Sequence, residues 1–175
     1  MRFQLAGGSR VLIDLQATGL LRAVAHSPTL RASPEPLAID YSAEAAEAAV
    51  VAVFRVDAIE LPADISASDR EKMRDNLLSR DVLDVTAFPT VAFRGRYTGT
   101  LDGGALTGHL TVRGLARSLT MPIRVSREAS VLVATGSWEG RLTDLGIKPF
   151  KALLGAIKLK DWIALRLAAR LEPAE

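Results

Sequence analysis

The chain has 175 residues, 49% apolar and 24% charged, the proportions of a globular protein rather than a disordered or fibrous one. Its 22 basic and 20 acidic residues leave a net charge of only +2, without the concentrated basic face that nucleic-acid binding needs. There is no cysteine, which excludes disulfides, thiolate metal sites and cysteine nucleophiles, and the two histidines, His26 and His109, do not alone make a standard zinc site.

The length predicts one domain over residues 1–175. The start, Met1-Arg2-Phe3-Gln4-Leu5-Ala6, runs into Gly7-Gly8-Ser9 instead of the unbroken apolar core of a signal peptide. No apolar stretch approaches the roughly 18–20 residues that span a bilayer as a helix. The expected location is cytoplasmic, or periplasmic if a longer precursor is trimmed.

In chain order, the dominant period is two. RVLIDLQAT puts Val11, Ile13, Leu15 and Ala17 on one strand face. Leu37 to Tyr41 repeats the pattern briefly, and Ala48 to Ile59, rich in β-branched residues, reads as a longer strand. SDREKMRDNLL interrupts with helical spacing: Ser68 with Glu71 makes a capping box, and the helix is expected to end near Arg80. Alternation resumes at Thr90. Residues 104–125 read as a hairpin turning at Arg113-Gly114, with Leu106, Leu110 and Val112 on one face and Leu119, Met121, Ile123 and Val125 on the other strand's face. Pro122 there marks an edge or a bulge. Ser130 to Leu142 is another strand, and the last places Ile163, Leu165, Leu167, Ala169 and Leu171 opposite Arg166 and Arg170.

Residues 148–160, KPFKALLGAIKLK, hold four of the five lysines and no acid. Phe150, Leu153, Leu154 and Ile157 fall at i, i+3, i+4 and i+7, and Pro149 suits a first helical turn, so a short amphipathic helix is expected here. A helix this short must dock on something to form.

About eight strands in a meander remove their open edges most simply by closing into a barrel, an all-β fold with one inserted helix. An eight-stranded interior either fills with side chains or holds one small ligand. Period two alone does not decide between a solid core and a cavity.

Four segments, in order, resemble the YceI-like family of lipid-binding domains. ATGLLRAVAHSPTLRAS (17–33) is similar to its early Gly-Leu to His stretch, LLSRDVLDVTAFPTVAFRG (77–95) to its helix-to-strand passage, GALTGHLTVRGLARSLTMPI (104–123) to its hairpin, and residues 141–171 to its closing strands. Where some relatives carry His-Asp-His, this chain reads His26-Ser27-Pro28. The resemblance implies an eight-stranded, lipocalin-like antiparallel barrel with a helix across an opening and an elongated pore for an isoprenoid or similar long-chain lipid.

Under that resemblance the inward stripes become the ligand wall: Ile13, Leu15, Phe54, Val56, Phe93, Leu110, Val112, Met121, Ile123, Trp138, Ile163, Leu165 and Leu167, with Phe150 and Leu153 closing it as a lid. Arg22 and His26 are expected at the lipid head group, and Lys148, Lys151 and Lys158 against an anionic membrane. His109, beside an inward position, is expected on the surface. No Gly-x-Ser-x-Gly elbow, Walker loop or dinucleotide fingerprint is present, so no catalysis, cofactor or metal is expected. The expected role is non-catalytic binding and transport or sequestration of a long-chain lipid, with transient membrane contact, no nucleic-acid partner, and a homodimer left open. The alternatives are a ligand-free structural or protein-interaction barrel and, third, an enzyme acting on an apolar substrate.

Overall fold

The computed structural model describes residues 1–18, 27–149, 151–152 and 157–174. Among them eleven strand segments form one antiparallel sheet: β1 (Arg2–Leu5), β2 (Arg10–Thr18), β3 (Thr29–Ala32), β4 (Ala38–Ser42), β5 (Glu47–Arg55), β6 (Thr90–Thr100), β7 (Gly103–Val112), β8 (Leu115–Glu128), β9 (Val131–Gly140), β10 (Lys151–Ala152) and β11 (Ile157–Pro173). The sheet closes on itself. β1 pairs with β4 on one side, placing Phe3 opposite Ile39, and with β11 on the other, placing Leu5 opposite Leu171. The ring β1-β4-β5-β6-β7-β8-β9-β11 is therefore the expected eight-stranded antiparallel barrel.

The count exceeds eight because two strands are interrupted and the short β10 adds on to β11. β2 follows β1 along the same β11 partner, and β3 pairs with β2 as β4 pairs with β1. Ser9 bridges the first interruption: its Oγ donates to the Ala6 carbonyl at 2.8 Å and accepts from the Arg170 amide at 3.0 Å. A buried hydroxyl thus replaces the missing ladder partner, as a buried backbone requires.

The hairpin turn falls where expected, with Arg113 at φ 49° and Gly114 at φ 73°, the two positive values a type I′ turn needs. Pro122 lies where β8 parts from β9. The β8–β9 ladder runs from Glu128↔Val131 to Ile123↔Gly136, and residues 115–121 of β8 pair with β7 alone.

Three boundaries depart from the expectations. β5 stops at Arg55, and Val56–Ala58 forms a short 3-10 turn, because Val56 leaves the ladder to be buried almost completely at 1% exposure. The helix, α1 (Ala67–Leu78), is capped by Ser66 rather than Ser68: the Ser66 Oγ accepts from the Asp69 amide at 3.0 Å. Arg70 fixes this earlier start by donating to the Pro62, Ala63 and Ile65 carbonyls. The expected helix at 148–160 is replaced, in its described part, by strand: Lys151 pairs with Lys158 and Ala152 with Ile157 in a β10–β11 hairpin. Beyond it Leu159 is buried between exposed Lys158 and Lys160, the signature of a strand.

The segment between β5 and β6 fills one end of the barrel. Val56, Ile59, Leu77, Val82 and Leu83 join Leu15, Val112 and Ile163 in one buried cluster. At the opposite end Phe3, Tyr41, Ala48 and Leu132 form a second, smaller cluster.

Candidate functional site

Between the two clusters lies an axial cavity of about 250 Å³ with an apolar wall. Every strand of the ring contributes to it by alternation. β5 offers Ala48, Val50, Ala52 and Phe54, β8 offers Leu119, Met121, Ile123 and Val125, and β11 offers Leu165, Leu167, Ala169 and Leu171. The seven residues Ala48–Phe54 of β5, six rises of roughly 3.3 Å, give a length of about 20 Å.

The wall owes its room to small residues. Gly95 of β6 faces Gly108 of β7, and an added Cβ at either would come within 2.8 Å of the Phe93 Cζ. The Phe93 ring lies over this glycine pair, so an aromatic residue occupies the wall without crossing the axis. The far end is closed by Tyr41 and Tyr97, whose ring centroids are 6.5 Å apart. Both hydroxyls turn away to the β6–β7 turn, donating to the Gly99 carbonyl at 2.9 Å and the Thr100 carbonyl at 2.5 Å. Burial pushes the Tyr97 hydroxyl pKa up, so it stays a neutral donor. Arg10, the charged residue of the wall among the described residues, donates its Nη1 to the Gly8 carbonyl at 3.1 Å.

Of the residues expected to line a pore, Ile13, Phe54, Val56, Phe93, Leu110, Met121, Ile123, Leu165 and Leu167 stand in this wall. Leu15, Val112 and Ile163 do not. They are buried, but at the end where α1 and its flanking loops pack, so their inward faces meet side chains instead of space. Trp138 lines a separate cleft. Arg22, His26, Phe150 and Leu153 lie outside the described residues, as does the Lys151 side chain. Lys148 and Lys158 are exposed, and so is His109. Sequence reasoning missed Phe3, Ile39, Tyr41, Tyr97, Leu132 and Ala134. The last two share parity with Trp138, and Tyr97 with Phe93, so a stricter count of alternation would have found them. Phe3 carried no such signal in a four-residue strand.

The side cleft, about 340 Å³, opens where β8 and β9 diverge. Its walls are Leu110, Leu119, Trp138 and the buried Leu145, with Arg117, Ser118, Thr143 and Asp144 at the lip. The lip is tied by ion pairs and hydrogen bonds. Arg141 Nη2 meets Asp144 Oδ1 at 2.9 Å, Thr143 Oγ1 donates to Asp161 Oδ2 at 2.6 Å, and Arg117 Nε donates to the Asp144 carbonyl at 2.6 Å. The hydrogen bond from Arg141 holds the Asp144 carboxyl below its usual pKa, and those from Thr143 do the same for Asp161. Among the described residues no three His, Asp or Glu side chains converge as a metal site would require. No described helix is long and apolar enough to cross a membrane.

The fold is that of known barrels. BcnA of Burkholderia cenocepacia superposes with a TM-score of 0.69 at 14% identity, over 93% of this chain and 95% of that one. A YceI protein of Campylobacter jejuni gives 0.61 at 14% identity, over 82% of each chain. A CJ YceI variant solved with a monobromobimane guest gives the same values. No curated protein is a sequence match. Residues 23–171 match the sequence profile of the YceI-like domain, and the chain belongs to that family.

Proposed function

We propose that this protein binds a long-chain apolar ligand, an isoprenoid or fatty-acid-like lipid, in the axial cavity and carries or sequesters it without changing it. The observation that supports this reading is the cavity itself: an apolar slot of about 250 Å³ inside a barrel whose outer face carries the charged side chains. Water gains nothing from such a space, whereas a hydrocarbon chain gains roughly 25 cal/mol for each Å² of apolar surface it buries. Membership of the YceI-like family, whose barrels generally bind polyisoprenoids, points the same way.

Among the described residues, the titratable groups of this wall are Arg10, Tyr41 and Tyr97, and all three are engaged with backbone carbonyls. A carrier must also meet a membrane to load. Lys148 and Lys158 are exposed, Lys158 opposite Thr18 at the end of β2, and such lysines suit an anionic surface. Native mass spectrometry after incubation with a C20 polyprenol or palmitate tests the reading: one lipid bound per chain is expected, and no adduct with any long-chain compound would overturn it.

A further inference from the structure

The inward stripe of β8 runs Val125, Ile123, Met121, Leu119, and its next place is Arg117. A cation therefore follows directly on the cavity wall, at the point where the barrel opens. The opening has a cause in the sequence. The Pro122 carbonyl oxygen faces Gly136 of β9, which is the side its absent N–H would have served, and the ladder goes no further. Past it, Ser137–Gly140 pair only with β11, and Leu115–Met121 only with β7.

Leu110 and Leu119 belong to the walls of both the axial cavity and the side cleft. Two leucine side chains are thus the shared partition between an apolar slot and a polar-lipped cleft. Arg117 is held at that lip by its Nε bond to the Asp144 carbonyl. Among the described residues no carboxylate lies within ion-pair distance of it; the nearby Asp144 carboxylate feels its charge but takes its hydrogen bonds from Arg141. A guanidinium so placed is a donor for an oxyanion.

We infer that the gap between β8 and β9 is the head-group subsite and portal of the pore, taking the oxyanion of an amphipathic lipid, a carboxylate or phosphate, on Arg117 while the tail passes Leu110 and Leu119 into the axial cavity. This rests on reading the axial cavity as a lipid site.

The test is a matched-tail series, geranylgeraniol, geranylgeranoic acid and geranylgeranyl phosphate, titrated into the wild-type chain, Arg117→Gln and Arg117→Lys. The wild type is expected to hold the acid or the phosphate at least tenfold tighter than the alcohol, and which of the two is tighter identifies the source of the oxyanion. Arg117→Gln should erase that preference by weakening the acid and the phosphate far more than the alcohol, and Arg117→Lys should retain part of it. Equal affinity for all three lipids, or a preference that survives Arg117→Gln, overturns the subsite while leaving the lipid pore standing. No binding of any member overturns both. Leu119→Trp, whose indole would fill the partition, should slow uptake through the gap. Unchanged uptake rates would place the portal elsewhere.

Discussion

Gly95 and Gly108 face each other across β6 and β7, and a Cβ on Gly108 would lie 2.3 Å from the Arg94 carbonyl oxygen and 2.8 Å from the Phe93 ring. Gly108→Val therefore demands a backbone shift as well as a displaced ring. A loss of about 1–3 kcal/mol is expected, as for other overpacked cores, together with reduced lipid capacity because Phe93 is pushed toward the axis. Guanidinium unfolding of the single variant and of Gly108→Val with Phe93→Leu separates the two causes. Phe93→Leu should restore little stability, since the carbonyl contact remains.

Leu165 stands between Ile13 and Trp138 in neighbouring strands and faces the cavity. Leu165→Trp should fill the slot and weaken lipid binding at least tenfold, while far-UV circular dichroism still reports the barrel. Undiminished binding would remove Leu165 from the ligand wall.

Arg166 Nη2 meets Asp14 Oδ1 at 2.9 Å, joining β11 to β2. This bond, above all, lowers the Asp14 pKa, and a hydrogen bond from Thr29 adds to the effect. A depressed carboxylate pKa contributes stability that is present above the unfolded value near 3.9 and is lost as pH falls through the lower folded value. Asp14→Asn should then cost about 0.5–1 kcal/mol at pH 7, the scale of a part-exposed pair, and progressively less as pH falls below the unfolded value. Denaturant melts of both proteins across the acid range check the sign: a difference that does not shrink as pH falls would mean that packing, not charge, is responsible.

Ser66 caps α1, and Ser68 lies inside it. Ser66→Ala should therefore lower stability by about 1 kcal/mol, and Ser68→Ala by far less. Thermal melts that rank the two the other way would restore the later helix start.

Replacing Lys148, Lys151 and Lys158 by Glu should slow lipid delivery to anionic vesicles by roughly tenfold or more, given about 1 kcal/mol per lysine near such a surface. Binding of the same lipid in solution should be unchanged. Equal transfer rates to anionic and neutral vesicles would end the membrane role of this end of the barrel.

The long strands were legible because one face of each is buried, so Leu110, Met121, Ile123, Leu165 and Leu167 announce themselves by parity. The turn at Arg113-Gly114 was legible from its glycine. Closure was expected from the strand count, but which strand seals the ring was not: it is β1, four residues pairing at once with β4 and β11, and nothing local in Arg2–Leu5 reports either partner. The helix expected at 148–160 failed for a different reason. A register shift in the β11–β2 ladder between Leu159 and Ile163 breaks the alternation, hiding that the strand starts as early as Ile157. Nor does parity distinguish packed from open positions. Leu15, Val112 and Ile163 point inward like their neighbours, yet the loops around α1 fill the space before them. The side cleft was foreshadowed by Pro122, whose reading as an edge was correct on the β9 side alone.

The central claim is that the axial cavity holds a long-chain lipid, and the most direct measurement is organic extraction of the purified protein followed by mass spectrometry of the extract. A long-chain isoprenoid or fatty-acid-like compound in near-stoichiometric amount, absent from an extract of Leu165→Trp, is the expected result. An empty extract that stays empty after the protein is offered isoprenoids and fatty acids would contradict it and leave a barrel that works through its surface.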